Sequence, residues 1–132
     1  MRKLLVWICL TVVLMVQCVA GLAEEITPYY SYAHLVKASI NITNGRAYSR
    51  GSLCPEHDEA TRVVVKLQQN IGGTWRTIGE WIGSSSSGIA EAGGSEEIDQ
   101  GFSYRTYTYG TIYDANGNIL ETVTEYSDIT NY

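Results

Sequence analysis

Histidine, cysteine and basic side chains are scarce in this chain, and each shortage excludes a class of function. Its 132 residues hold two histidines, three cysteines and nine lysines and arginines. Zinc takes three or four ligands, and nothing in the sequence brings His34 and His57 to one ion, so no metal and no other cofactor is expected. No zinc-binding helix motif, nucleophile elbow, phosphate loop or dinucleotide fingerprint occurs, so an enzyme is not expected. Helical periodicity and heptads are missing as well.

What is present begins with a leader. Residues 1–23 open with Arg2 and Lys3, run through the apolar stretch LLVWICLTVVLMV (Leu4 to Val16) and end in the small residues AGLA, the anatomy of a secretory signal peptide. Gly21 and Ala23 suit the −3 and −1 positions, which sets cleavage before Glu24; a cut after Ala20 fits as well. The apolar run is shorter than the roughly 20 residues of a transmembrane helix, so no membrane is expected for the mature form; retention as an anchor is the minority reading. Cleavage removes Arg2, Lys3, Cys9 and Cys18. Seven basic residues then face fourteen acidic ones, a net charge of −7 that repels nucleic acid. Cys54 is left alone, which excludes an internal disulfide. The remainder, residues 24–132, has the length of one domain whose core holds without staples.

Short alternating segments separated by Gly and Asn turns fill that domain, the pattern of an all-β fold. In VKASINITNGRAYSRGSL the pair Asn44-Gly45 suits a primed two-residue turn. Counting outward sets Ile42 opposite Ala47, Ile40 opposite Ser49, Ala38 opposite Gly51 and Val36 opposite Leu53, with Lys37, Arg46 and Arg50 on the other face. In RVVVKLQQNIGGTWRTIGEWI the charges place Val63, Val65, Leu67, Trp75 and Trp81 inside. Those assignments agree if the loop has three residues, Ile71 to Gly73. The stretch 83–101, GSSSSGIAEAGGSEEIDQG, is small, polar and acidic and reads as a flexible loop with at most one short strand. Its acids, Glu91, Glu96, Glu97 and Asp99, match no calcium-loop spacing.

The chain's richest aromatic stretch is YRTYTYGTIYDANG, in which Tyr107, Tyr109 and Tyr113 share one face of a strand. The loop that follows decides which face. A two-residue loop pairs Tyr109 with Thr124 and Tyr107 with Tyr126, and sets Glu121 and Glu125 beside Ile112 and Val123. A three-residue loop, Ala115 to Gly117, moves Arg105, Glu121 and Glu125 to the side of the tyrosines. An unpaired buried carboxylate costs several kcal/mol, against roughly 0.2–1 kcal/mol between cross-strand pairs, so the second register is expected. The tyrosines then face outward, and the inner face holds Tyr104, Thr106, Thr108, Gly110, Ile112, Leu120, Thr122, Thr124 and Tyr126. An outward row of rings suits a glycan or a protein interface. Strand propensity alone also produces such a row, and the N-terminal PYYSY is free to cover it.

Cys54, Glu56, His57 and Asp58 gather on the turn CPEHDE, where no third group orients a Cys-His pair. Cys54 reads as a small buried thiol or, if exposed, as the link of a disulfide dimer. Asn41-Ile42-Thr43 forms a glycosylation sequon in mid-strand and reads as chance.

Three stretches, ITPYYSY, VVVKLQQNIGGTWRTIGEW and YRTYTYGTIYDANGNILETVTEYS, together resemble an uncharacterised family of small secreted β-sandwich proteins of Gram-positive gut bacteria. The resemblance spans most of the mature chain and implies an extracellular or cell-surface location and a sandwich, with no mechanism. About seven antiparallel strands in one domain imply an immunoglobulin-like or fibronectin-like sandwich, without the Cys-Trp-Cys signature of true immunoglobulin domains. The expected role is a non-catalytic binding module for a glycan or protein, acting through Tyr107, Tyr109 and Tyr113; a small antimicrobial or toxin-like effector is the alternative.

Overall fold

Asn44 and Gly45 take positive φ angles of 50° and 74°, the backbone that a primed turn demands, and join β1 (Ala33–Thr43) to β2 (Arg46–Pro55). This is seen in a computed structural model that describes residues 29–132; the expected leader, residues 1–23, lies outside them. The register is the expected one, from Ile42 opposite Ala47 to Val36 opposite Leu53. Ala47, Ser49, Gly51 and Leu53 are buried, and the charged residues occupy the other face.

The chain then crosses to a second sheet with β3 (Ala60–Ile71) and β4 (Thr74–Ser85), returns for β5 (Ala90–Glu97), and finishes with β6 (Ser103–Tyr113), β7 (Ile119–Tyr126) and the short β8 (Thr130–Asn131). One sheet runs β1-β2-β5 and the other β4-β3-β6-β7, with β8 beside the start of β6; every pairing is antiparallel. This is the expected immunoglobulin-like sandwich, in the fibronectin-like form where the fourth strand joins the third. Between the sheets lie Leu53, Val63, Val65, Ile112 and Val123 in one cluster and Ala47, Leu67 and Tyr104 in another.

Tyr104 anchors the entry to β6. Its hydroxyl donates to the Asp99 carbonyl at 2.7 Å and accepts from the Asp99 N–H and from Gln69 Nε2, both at 3.1 Å. A tyrosine that ties the start of this strand to the preceding backbone is a hallmark of the fold. Thr106 donates its hydroxyl to Ser49 Oγ across the sheets at 2.8 Å. The threonine-rich inner face of β6 therefore holds as expected.

Three expectations are corrected. The β3–β4 loop has two residues, Gly72 and Gly73, with φ of 58° and 87°, and Ile71 pairs with Thr74. Two glycines meet a primed turn's need for positive φ twice, at no steric cost. The extra residue sits further along β4, where Ile78 bulges between the Leu67–Gly79 and Gln68–Thr77 pairs. Trp81 consequently packs inward, whereas Trp75, paired with Asn70, faces outward.

The second correction is the segment 83–101, which is mostly strand: the end of β4 and all of β5 lie within it. Its small residues make room for close packing. A Cβ on Gly94 would collide with the indole of Trp81, and one on Gly83 with the backbone of Glu91.

The third concerns β7. The tip is the three-residue loop, with the Asp114 carboxylate accepting from the N–H groups of Asn116 and Asn118 at 2.9 and 2.8 Å. A bulge at Leu120 then shifts the register, so that Tyr109 meets Thr124, Tyr107 meets Tyr126, and Ile112 meets Glu121. The tyrosines stay outward, yet Glu121 and Glu125 turn to the inner side with Val123, and Thr122, Thr124 and Tyr126 turn out; Leu120 alone of the expected four packs on the core. The expected cost of an unpaired buried carboxylate does not arise, because β7 is an edge strand. From that edge Glu121 meets the backbone N–H groups of Ser31, Tyr32 and Ala33 at 2.8, 2.9 and 2.8 Å. A carboxylate with three amide donors is no longer an unpaired charge.

Candidate binding site

Strand alternation lays Arg105, Tyr107, Tyr109, Thr111 and Tyr113 along the outer face of the β4-β3-β6-β7 sheet. Neighbouring strands lie about 4.8 Å apart, which is stacking distance for flat groups on adjacent strands. The Tyr107 and Tyr126 ring centroids are 4.8 Å apart with a tilt of 33°. The Arg105 guanidinium carbon lies 4.1 Å from the Trp75 ring centroid and 4.2 Å from that of Tyr126, and its Nε donates to Gln68 Oε1 at 2.8 Å. Trp75, Arg105, Tyr126 and Tyr107 thus form one continuous stack from β4 to β7.

Tyr109 follows Tyr107 on the same face and is 36% exposed. Partial burial, reinforced by the neighbouring Tyr126 and Tyr109 phenols, holds the Tyr107 hydroxyl above the ordinary tyrosine range, so it stays a neutral donor. Tyr113 is separate. It sits half-buried at the end of the sheet, beside His57, Glu59 and Asp114. The structure therefore brings Tyr107 and Tyr109 together and leaves Tyr113 at the rim. The N-terminal Tyr30 packs against the inner core and donates to the Thr124 carbonyl at 3.3 Å, so this segment docks on the far side from the stack.

Trp75 and Tyr126 were missed as members of this face. The consecutive glycines 72 and 73 were the available signal for Trp75; nothing local announced the bulge at Leu120 that turns Tyr126 outward.

The face is also basic. Its strands place Arg62, Lys66 and Arg105 outward against a single acid, Glu80, whose carboxylate is 3.8 Å from Lys66 Nζ. On a chain with a net charge of −5, this is a local reversal of sign.

The CPEHDE turn assembles no comparable constellation. Cys54 is half-buried on β2 opposite Leu35, while His57 is exposed with Nδ1 3.6 Å from the Glu59 carboxylate. His34 instead faces Glu56 at 3.3 Å. Among the described residues no group of three or more His, Cys, Asp or Glu side chains is placed to hold a metal ion. Compared with known proteins, the chain matches no family model and no curated protein.

Proposed function

We propose that this chain is a secreted, non-catalytic interaction module that docks an extracellular protein through the outer face of the β4-β3-β6-β7 sheet. Tyr107 and Tyr109 form the centre of the contact and Tyr113 its rim. The observation that carries this reading is the Trp75–Arg105–Tyr126–Tyr107 stack. Its rings are positioned before a partner arrives, so binding orders few side chains. Tryptophan, tyrosine and arginine are also the residues that dominate binding energy at protein interfaces. Between glycan and protein, the rings favour protein, since they are packed into one another rather than standing free for a sugar. Arg62, Lys66 and Arg105 favour an acidic patch on that partner. The signal-peptide pattern of residues 1–23 supports secretion.

Arrays of extracellular proteins and of glycans, probed with the purified domain at low and high salt, test this. The expected ligand is a protein with an acidic surface, bound more weakly as salt rises. Replacing Tyr107, Tyr109 and Tyr113 together by alanine should weaken binding by about a thousandfold, as for the loss of two hot-spot contacts of about 2 kcal/mol each. Tyr109→Ala alone, which leaves the stack intact, should still weaken it. Unchanged binding by the triple variant removes the site, and retention on glycans alone replaces the ligand class.

A further inference from the structure

The opposite outer face, on the β1-β2-β5 sheet, carries a different surface. Tyr48 stands at its centre with 48% of its area exposed. The registers set Asn41 on one side of it and Ser95 on the other, and in the next row Arg50 lies beside Gly93. Arg46, two residues before Tyr48, reaches across to Ser95 Oγ at 3.1 Å, whereas toward Arg50 the missing side chain of Gly93 leaves that side of the Tyr48 ring open. Around it runs an open groove of about 620 Å3, within the usual range for small-ligand sites. The two charges in the groove answer each other, Arg50 Nη2 lying 3.6 Å from Glu91 Oε2.

We propose that this groove binds an uncharged carbohydrate chain, one sugar ring stacked on Tyr48 and its hydroxyls bonded to Arg50, Glu91 and Asn41. The open side of a flat aromatic ring matches the flat C–H face of a pyranose. Sugar hydroxyls both donate and accept, and beyond the donor and acceptor that face each other Arg50 and Glu91 have further N–H groups and lone pairs to offer. The Arg50–Glu91 pairing makes the groove electrically neutral, so an acidic sugar gains no unpaired cation there and meets the Glu91 carboxylate. An extended peptide is a poorer fit, because peptides add to open sheet edges and this groove crosses the paired face of the sheet. The site lies on the other side of the sandwich from the Tyr107 stack, so either can fail without the other.

An array of neutral hexose and N-acetylhexosamine oligomers, with uronic-acid and sulfated oligomers alongside, is the probe, followed by titration of the best oligomer against variants. Binding to neutral oligomers, little changed by salt, is expected. Tyr48→Ala should weaken it by about tenfold or more, the size of one well-made contact. Tyr48→Phe should stay within about threefold of the unaltered protein, because the ring face rather than the hydroxyl makes the contact. Arg50→Ala should weaken it, and Tyr109→Ala on the opposite face should not. Thermal melting of each variant separates lost contacts from lost folding. No binding to any neutral oligomer, preference for the charged ones, or unchanged affinity in Tyr48→Ala overturns the proposal.

Discussion

The two faces of β6 use the same amino acid in opposite ways. Inward, Tyr104 is fully buried, and its hydroxyl is satisfied by Asp99 and Gln69. Outward, Tyr107 is held by the flat of Tyr126, within a stack that continues through Arg105 to Trp75. Where water is excluded, an unmet polar atom is the larger cost, so the hydroxyl decides the position of Tyr104. Where water is present, polar atoms are satisfied anyway, and contact area decides the position of Tyr107. One face specifies the fold, and the other is left to present a surface.

The inner face should be the sensitive one. Tyr104→Phe keeps the ring but strands Gln69 Nε2 and both backbone groups of Asp99, and should cost about 3 kcal/mol in urea unfolding. A loss of only a few tenths would place the anchor elsewhere.

Thr108 tests the same rule with reversed sign. Its Oγ1 is buried with no hydrogen-bond partner, so Thr108→Val should raise stability by about 1 kcal/mol. A decrease would show that the hydroxyl is bonded after all.

Outer-face changes should be smaller. Arg105→Ala removes two cation–π contacts of about 0.5–1 kcal/mol each at an exposed site, and re-solvation of Gln68 should hold the net loss to about 1 kcal/mol. A double-mutant cycle with Trp75→Ala measures the coupling directly.

The smallest effect should come from pH. Burial and neighbouring phenols raise the Tyr107 value in the folded state, so the folded form holds its proton more tightly than the unfolded chain does. That contribution is complete below the unfolded value of about 10 and fades as pH rises through the higher folded value. Tyr107→Phe should flatten the alkaline decline in melting temperature, and a decline of unchanged slope would assign it to other groups.

How far the sequence could be read depended on how local each cause was. Asn44-Gly45 states its own turn, and both strands beside it alternate cleanly, so that hairpin was legible to the residue. Tyr107 and Tyr109 do face outward as expected, but of the three charges that assigned them there only Arg105 shares their face, since Glu121 and Glu125 turn inward. Glu121 was misplaced because its compensation comes from Ser31, Tyr32 and Ala33, some ninety residues earlier in the chain. Residues 90–97 were misread because Gly and Ser here serve tight packing against Trp81, and composition does not separate that use from flexibility. Tyr48 drew no notice, since its open side exists only once β5 supplies Gly93.

Alternation along each strand follows from the covalent chain, which turns successive side chains to opposite faces; that alone determined the all-β class and the two-sided character of β1, β2, β3 and β6. The bulges at Ile78 and Leu120, the inward turn of Glu121 and the stack from Trp75 to Tyr107 were decided only by assembly. Each depends on a partner from a distant part of the chain, and a bulge costs little enough locally that long-range contacts choose where it falls.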